Sequence, residues 1–256
     1  MMNVSNRGKS LPPSPIRKLK PYADRAKAQG KTIYQLNIGQ PDIETPECML
    51  EALKKFHPKV IAYGPSQGLP EYQDALIKYY NRHHIELTHD DIIVTTAGSE
   101  AIIMAFTVCL EAGDEVLIPE PYYTNYNGFA VMTDTVIKPI TTRIENDWQL
   151  PEVEEIEKLV GPKTRAIMIC NPNNPTGKVY GRDELRKIVN LAKKHNLYIF
   201  ADEVYREFIF NGEKHTSLME FHEVKDHVVL MDSISKRFSA CGSRIGAFIS
   251  RNKDVM

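Results

Sequence analysis

The sequence predicts an α/β protein built on a mostly parallel, seven-stranded type of sheet flanked by helices. Two observations carry this. From about residue 90, short apolar runs alternate with helix-period segments, the pattern of strands joined by crossover helices. Several of those runs are apolar throughout, as strands covered on both faces are.

The expected strands are 92–95, 115–119, 135–140, 165–170, 197–201, 228–232 and 245–250. Between the fourth and fifth lies a helix over 182–196, where Leu185, Ile188, Val189 and Ala192 recur at i, i+3, i+4 and i+7 on one face. Helices are also expected at 46–56 and 70–84, each opening on a proline suited to a first helical turn, with a loop at 63–68 between them. The start of the chain, with Pro12, Pro13 and Pro15, reads as an extended arm lying on something else. No internal repeat or low-complexity linker is present in the sequence.

Composition narrows the function classes. The chain has 256 residues, 42% hydrophobic and 25% charged, an ordinary globular composition for one large domain or one domain and a fragment. A formal net charge of -1 gives no global field to gather nucleic acid or anionic lipid. Cys48, Cys109, Cys170 and Cys241 form no CxxC pair, which points to reduced, mostly core thiols and away from a zinc cluster or disulfide framework. The N-terminus has basic residues with no apolar stretch behind them, so a cytoplasmic protein is expected, with no membrane or nucleic-acid partner. His83, His84 and His89 read as solvated surface histidines, because no carboxylate geometry accompanies them, and no metal is expected.

Strand ends are where an open α/β sheet gathers chemistry, since residues distant in sequence converge at the carboxyl edge. A phosphate-bearing aldehyde cofactor would need a lysine for a Schiff base, donors and a cation for the phosphate, and an acid for a pyridine nitrogen. Lys236, in Ser233-Ile234-Ser235-Lys236, follows the strand ending at Asp232, and Arg244 comes eight residues later. Alone, Lys236 reads as a solvated loop residue. Its spacing from Ser233 also matches SxxK of penicillin-binding proteins, although no SDN or KTG element accompanies it.

The turn Thr96-Ala97-Gly98-Ser99 joins the first strand to a helix, so its N–H groups and the Ser99 hydroxyl either grip a phosphate or simply cap the helix. Asp202 follows a buried strand, and a carboxylate there needs a partner: a protonated ring nitrogen, or the next turn. The 171–177 segment, rich in Asn and Pro, is a rigid polar turn in its own right, yet it fixes Asn174 where its amide could reach a ring oxygen or a carboxylate. Tyr122 and Tyr123 offer an aromatic face for a flat ring or for core packing.

Seven segments in order, LNIGQPD (36–42), YGPSQGLPE (63–71), TAGSEAI (96–102), PEPYYTNY (119–126), NPNNPTG (171–177), ADEVY (201–205) and SISKRFSACGSRIG (233–246), resemble the fold-type-I pyridoxal-phosphate aminotransferases of class I and II, within the aspartate aminotransferase subgroup. The resemblance implies a PLP-dependent transferase fold, with residues 1–45 as an N-terminal arm and part of a small domain, and 46–256 as the cofactor-binding large domain. It implies Lys236 as the lysine that holds pyridoxal 5'-phosphate as an internal aldimine and shuttles the substrate proton. By the same resemblance, Arg244, Ser233, Ser235, Ala97, Gly98 and Ser99 hold the phosphate. Asp202 partners the pyridinium, Tyr205 and Asn174 bond the ring oxygen, and Tyr123, where the family often has Trp or Phe, stacks on the ring. Gly39 and Asn174 lie near the substrate carboxylate, and Tyr63 reaches the phosphate of the neighbouring subunit, which implies a homodimer with shared sites.

The implied activity is ping-pong transfer of an amino group from an L-amino acid to a 2-oxo acid. The alternatives are another enzyme of the fold type, such as a C–S β-lyase, and a noncatalytic PLP-binding fragment. Family members extend beyond the point where this sequence stops, into a C-terminal segment that finishes the small domain and supplies an arginine for the α-carboxylate. The expectation is therefore a fragment of a full-length enzyme.

Overall fold

The computed structural model describes residues 2–13, 17–210 and 212–256. Its helices are α1 (Asn6–Ser10), α2 (Lys20–Ala28), α3 (Glu47–Lys55), α4 (Pro70–Asn81), α5 (Ala97–Cys109), α6 (Asn125–Thr133), α7 (Val153–Glu157), α8 (Arg182–His195) and α9 (Ile234–Arg237). Its strands are β1 (Ile92–Thr95), β2 (Glu115–Glu120), β3 (Val136–Thr141), β4 (Thr164–Cys170), β5 (Tyr198–Asp202), β6 (Val228–Ser233) and β7 (Gly246–Ser250). The seven strands form one sheet in the order β1-β7-β6-β5-β4-β2-β3. All neighbours pair in parallel except β7, which runs antiparallel to both β1 and β6.

Strand parity builds two cores. Ile167 and Ile169 of β4, Ile199 and Ala201 of β5 and Leu230 of β6 pack with Leu76 and Tyr80 of α4 and Leu185, Ile188 and Val189 of α8. Ala166 and Met168, Phe200, Val229 and Met231 point the other way, to Ala101, Ala105 and Phe106 of α5 and Tyr126 and Phe129 of α6. Each central strand is thus apolar on both faces, which is why its sequence shows no alternation. β3 closes an edge: Val136 and Thr141 are exposed there. It carries Pro139, tolerable in an edge strand because the missing donor faces no further strand.

α8 shows how local chemistry sets the crossover. Asp183 and Glu184 sit in its first turn and Lys193, Lys194 and His195 in its last, complementing the helix dipole. Asn196 ends it in the left-handed conformation at φ 51°.

Several boundaries differ from expectation. Pro46 caps α3 from outside, so α3 starts at Glu47, whereas Pro70 occupies the first turn of α4. α4 ends at Asn81, short of the histidines, because His84 adopts a positive φ of 58°. The arm is not wholly extended: residues 6–10 are helical, and Arg7 ion-pairs with Asp134, the left-handed cap of α6. Pro12 and Pro13 are irregular, while Pro15 lies outside the described residues. Of the four thiols only Cys170 is buried; Cys48 is exposed and Cys109 and Cys241 are half-buried, so the expectation of mostly core thiols is corrected. His89 pairs with Asp74 at 2.7 Å, and among the described residues no group of three or more His, Cys, Asp and Glu side chains converges. No described helix is long and apolar enough to cross a membrane.

Candidate active site

At the carboxyl edge of the sheet, on the α5 and α6 side, a cavity of about 530 Å³ opens. Strand parity delivers its walls. Cys170, Asp202 and Ser233 continue the face of Met168, Phe200 and Met231 beyond the last apolar residue, so each points into the space between sheet and helices.

Ala97, Gly98 and Ser99, the first residues of α5, form one wall. Ala97 takes a positive φ of 63°, and its carbonyl accepts the Thr95 hydroxyl at 3.0 Å, while the Thr96 N–H is held by the Glu100 carboxylate. Opposite stand Ser233 and Ser235, whose Oγ atoms lie 2.8 Å apart. The Ser233 hydroxyl donates to the Ile245 carbonyl at 3.1 Å. Arg244 follows in a left-handed turn, exposed, with Nη1 donating to the Cys241 carbonyl at 3.1 Å. Two hydroxyls, one guanidinium and a helix start therefore surround one corner, a set of donors and positive potential that suits a phosphate.

Deeper in the cavity, Asp202 is only 3% exposed. Tyr126 donates its hydroxyl to Asp202 Oδ2 at 2.6 Å, and the Val204 N–H reaches Oδ1 at 3.4 Å. Burial pushes the Asp202 carboxyl up to about 6, partly opposed by those two bonds. A carboxylate so placed gains from a cation at its open face.

Asn174 sits in a turn with cis peptide bonds before Pro172 and Pro175, closed by Gly177 N–H donating to the Asn173 carbonyl at 2.9 Å. Its Nδ2 donates to the Tyr205 hydroxyl at 3.5 Å. Burial pushes the Tyr205 phenol up, with Cys170 and Asp202 adding to the effect, so the phenol stays protonated and able to donate. Tyr123 accepts from Asn125 Nδ2 at 2.7 Å and meets Tyr126 edge to face at 5.4 Å.

Lys236, half-buried on the single turn α9, donates to the Gly39 carbonyl at 2.6 Å and lies 5.8 Å from the centre of the Tyr205 ring. The structure thus brings Ala97, Gly98, Ser99, Tyr123, Asn174, Asp202, Tyr205, Ser233, Ser235, Lys236 and Arg244 to one cavity, with Gly39 bonded to the amine. Tyr63 stands apart, fully exposed at 107%. Seven residues on or behind these walls escaped sequence reasoning: Arg17, Ile102, Asn125, Tyr126, Cys170, Val204 and Cys241. Tyr126 and Cys241 lie inside motifs already singled out, and the parity of β4 places Cys170. Nothing in the sequence marks Arg17.

The family model for aminotransferase class I and II matches residues 31–256. The chain belongs to that family. It is similar to the aspartate aminotransferase of Bacillus sp. (strain YM-2), 33% identical over 99% of this chain and 65% of that protein. It is also similar to aromatic-amino-acid aminotransferase 2 of Thermococcus litoralis, 34% identical over 96% of this chain and 62% of the relative. The crystal structure of the aspartate aminotransferase from Thermotoga maritima superposes with a TM-score of 0.92 at 31% identity, over 98% of this chain and 67% of the other. The chain thus spans just under two thirds of the length of the relatives it matches by sequence.

Enzymes of this family use pyridoxal 5'-phosphate. The residues present fit it: a lysine amine opens into the cavity, a donor-lined corner suits its phosphate, and a buried carboxyl with a raised pKa faces the same space. Gly98 adds room, since a Cβ there would lie 3.3 Å from Val204 Cγ1 and 3.7 Å from Ser233 Cβ.

Proposed function

We propose that this chain carries the cofactor site of an aminotransferase that moves an amino group from an L-amino acid to a 2-oxo acid, with Lys236 as the covalent anchor of pyridoxal 5'-phosphate. The convergence of Lys236, Asp202, Asn174, Tyr205 and Arg244 on one cavity supports the reading most.

In this reading Ser233, Ser235, Arg244 and the N–H groups of Ala97, Gly98 and Ser99 hold the phosphate. Asp202, oriented by Tyr126, would hold the proton on the ring nitrogen, and that cation would offset the cost of burying the carboxylate. Tyr205 and Asn174 would hydrogen-bond the ring oxygen, and Tyr123 would offer its face to the ring. When bound, the cofactor supplies an electron sink for the pair left behind at the substrate Cα. Lys236 would move a proton at the substrate Cα, and to accept it the amine would have to be neutral for part of the cycle. Gly39, whose carbonyl already meets Lys236, and Asn174 border the place where a substrate carboxylate would sit.

Residues 1–45 as arm and small-domain portion, 46–256 as large domain, a cytoplasmic location and a homodimer with Tyr63 reaching the partner's site belong to the same proposal. Exposure of Leu36 (95%), Ile61 (87%) and Tyr63 (107%) in one stretch of chain supports the dimer. The amino donor stays open, since the relatives' names include both aspartate and aromatic amino acids. The test is a half-reaction: the chain loaded with cofactor and given L-aspartate, L-glutamate or L-phenylalanine yields one equivalent of 2-oxo acid with no ammonia or thiol. Release of ammonia with thiol from a sulfur amino acid would point to β-elimination instead.

A further inference from the structure

Behind the cavity, on the α4 and α8 side of the same strand ends, lies a second buried polar layer. Parity again builds it: Glu203 and Asp232 continue the face of Ala201 and Leu230, opposite to Asp202 and Ser233. Asp232, 2% exposed, accepts from Arg237 Nη2 at 2.7 Å and its own Ser233 N–H at 2.7 Å through Oδ1, and from the Tyr80 hydroxyl at 3.0 Å through Oδ2. Arg237 is the residue after Lys236. Its side chain is 5% exposed, its guanidinium carbon lies 4.0 Å from the Tyr79 ring centre, and its Nε is 4.0 Å from Glu207 Oε1. Arg206 flanks the layer, 4.9 Å from the Tyr80 ring centre and 3.6 Å from the buried Glu203 carboxylate.

Lys236 and Arg237 therefore leave α9 in opposite directions, one into the cavity and one into this layer. α9 is a single turn of four residues, too short to hold its own shape, so its orientation comes from what its side chains grip. Lys236 donates to the Gly39 carbonyl of the N-terminal segment at 2.6 Å and to Cys241 Sγ at 4.0 Å, and lies 5.8 Å from the Tyr205 ring centre, contacts to a flexible ammonium. Arg237 has a buried ion pair and an aromatic face, and a planar guanidinium fixed on both counts resists rotation as an ammonium does not.

We propose that Arg237, through Asp232, is a positioning residue for Lys236: the pair holds α9 turned so that the lysine amine emerges beside Tyr205 and Gly39. The inference rests on Lys236 being the covalent anchor.

The test compares the full chain with the double variant Arg237→Met, Asp232→Asn, which removes both buried charges together and so avoids stranding either one. Two quantities are read. The first is the equilibrium constant for covalent attachment of pyridoxal 5'-phosphate at Lys236, from visible absorbance and borohydride trapping. The second is noncovalent affinity for the same cofactor in a Lys236→Ala background. Hydrogen exchange of the amides of 234–238 in cofactor-free protein accompanies both.

The expected result is attachment weakened about tenfold or more, the scale of a misplaced reacting group, with faster exchange in α9 and noncovalent affinity nearly unchanged. Attachment and exchange like those of the unaltered chain would overturn the proposal, and so would an equal loss in both affinities, which would mark a general collapse of the site. Arg237→Lys, which keeps the charge without the planar fork, is read the same way if the neutral pair does not fold. Failure of the unaltered chain to attach cofactor at Lys236 would instead count against the anchor assignment itself.

Discussion

The Tyr126 hydroxyl donates to Asp202 Oδ2 at 2.6 Å, joining the first turn of α6 to the end of β5. Both partners are buried, and the bond is one of the two that oppose the rise in the Asp202 pKa. Tyr126→Phe removes a donor from a buried carboxyl, a change that costs about 1–3 kcal/mol. Urea denaturation of the cofactor-free variant is expected to show that loss, and cofactor affinity is expected to fall with it.

Asp202 also predicts a pH dependence. Its folded pKa, about 6, lies above the usual carboxylate range, so its contribution is fully present below about 4 and is lost as pH rises through 6. Without cofactor, stability attributable to this group falls across that window by up to about 3 kcal/mol, the equivalent of two pKa units. Asp202→Asn is expected to abolish this part of the pH dependence. Denaturation midpoints of both proteins at pH 4.5 and pH 7.5 provide the check, and a window unchanged by the substitution would contradict the assignment.

Gly246 opens β7 where that strand crosses beneath the start of α5. A Cβ there would sit 2.5 Å from the Ala97 carbonyl carbon and 2.7 Å from the Asp232 carbonyl oxygen, both backbone atoms that cannot swing aside. Gly246→Ala is expected to destabilise the chain by about 1–3 kcal/mol through overpacking and to weaken cofactor binding by displacing Ala97. Gly98→Ala, with its nearest new contact at 3.3 Å to a side-chain methyl, is expected to cost less.

The sheet was readable in the sequence because β4, β5 and β6 each carry an unbroken apolar run, Ala166 to Cys170, Tyr198 to Ala201 and Val228 to Met231, and α8 carries its stripe at helical spacing. The antiparallel direction of β7 was not, since an apolar run looks the same in either direction. Lys236, Asp202 and Asn174 could be placed because each follows directly on a strand or lies in a turn rich in Asn and Pro. The Asp232–Arg237 pair could not: nothing in the sequence joins a strand-end acid to the residue after Lys236, and strand parity turns both behind the cavity. Arg17 reaches the cavity wall from a part of the chain remote in sequence, a proximity no local pattern encodes.

The most direct test of the anchor assignment is peptide mapping of the chain after incubation with pyridoxal 5'-phosphate and reduction with borohydride. The pyridoxyl label is expected on Lys236, with its yield abolished in Lys236→Ala while some reversible cofactor binding persists. A label spread over surface lysines, or one whose yield survives Lys236→Ala, would contradict the account.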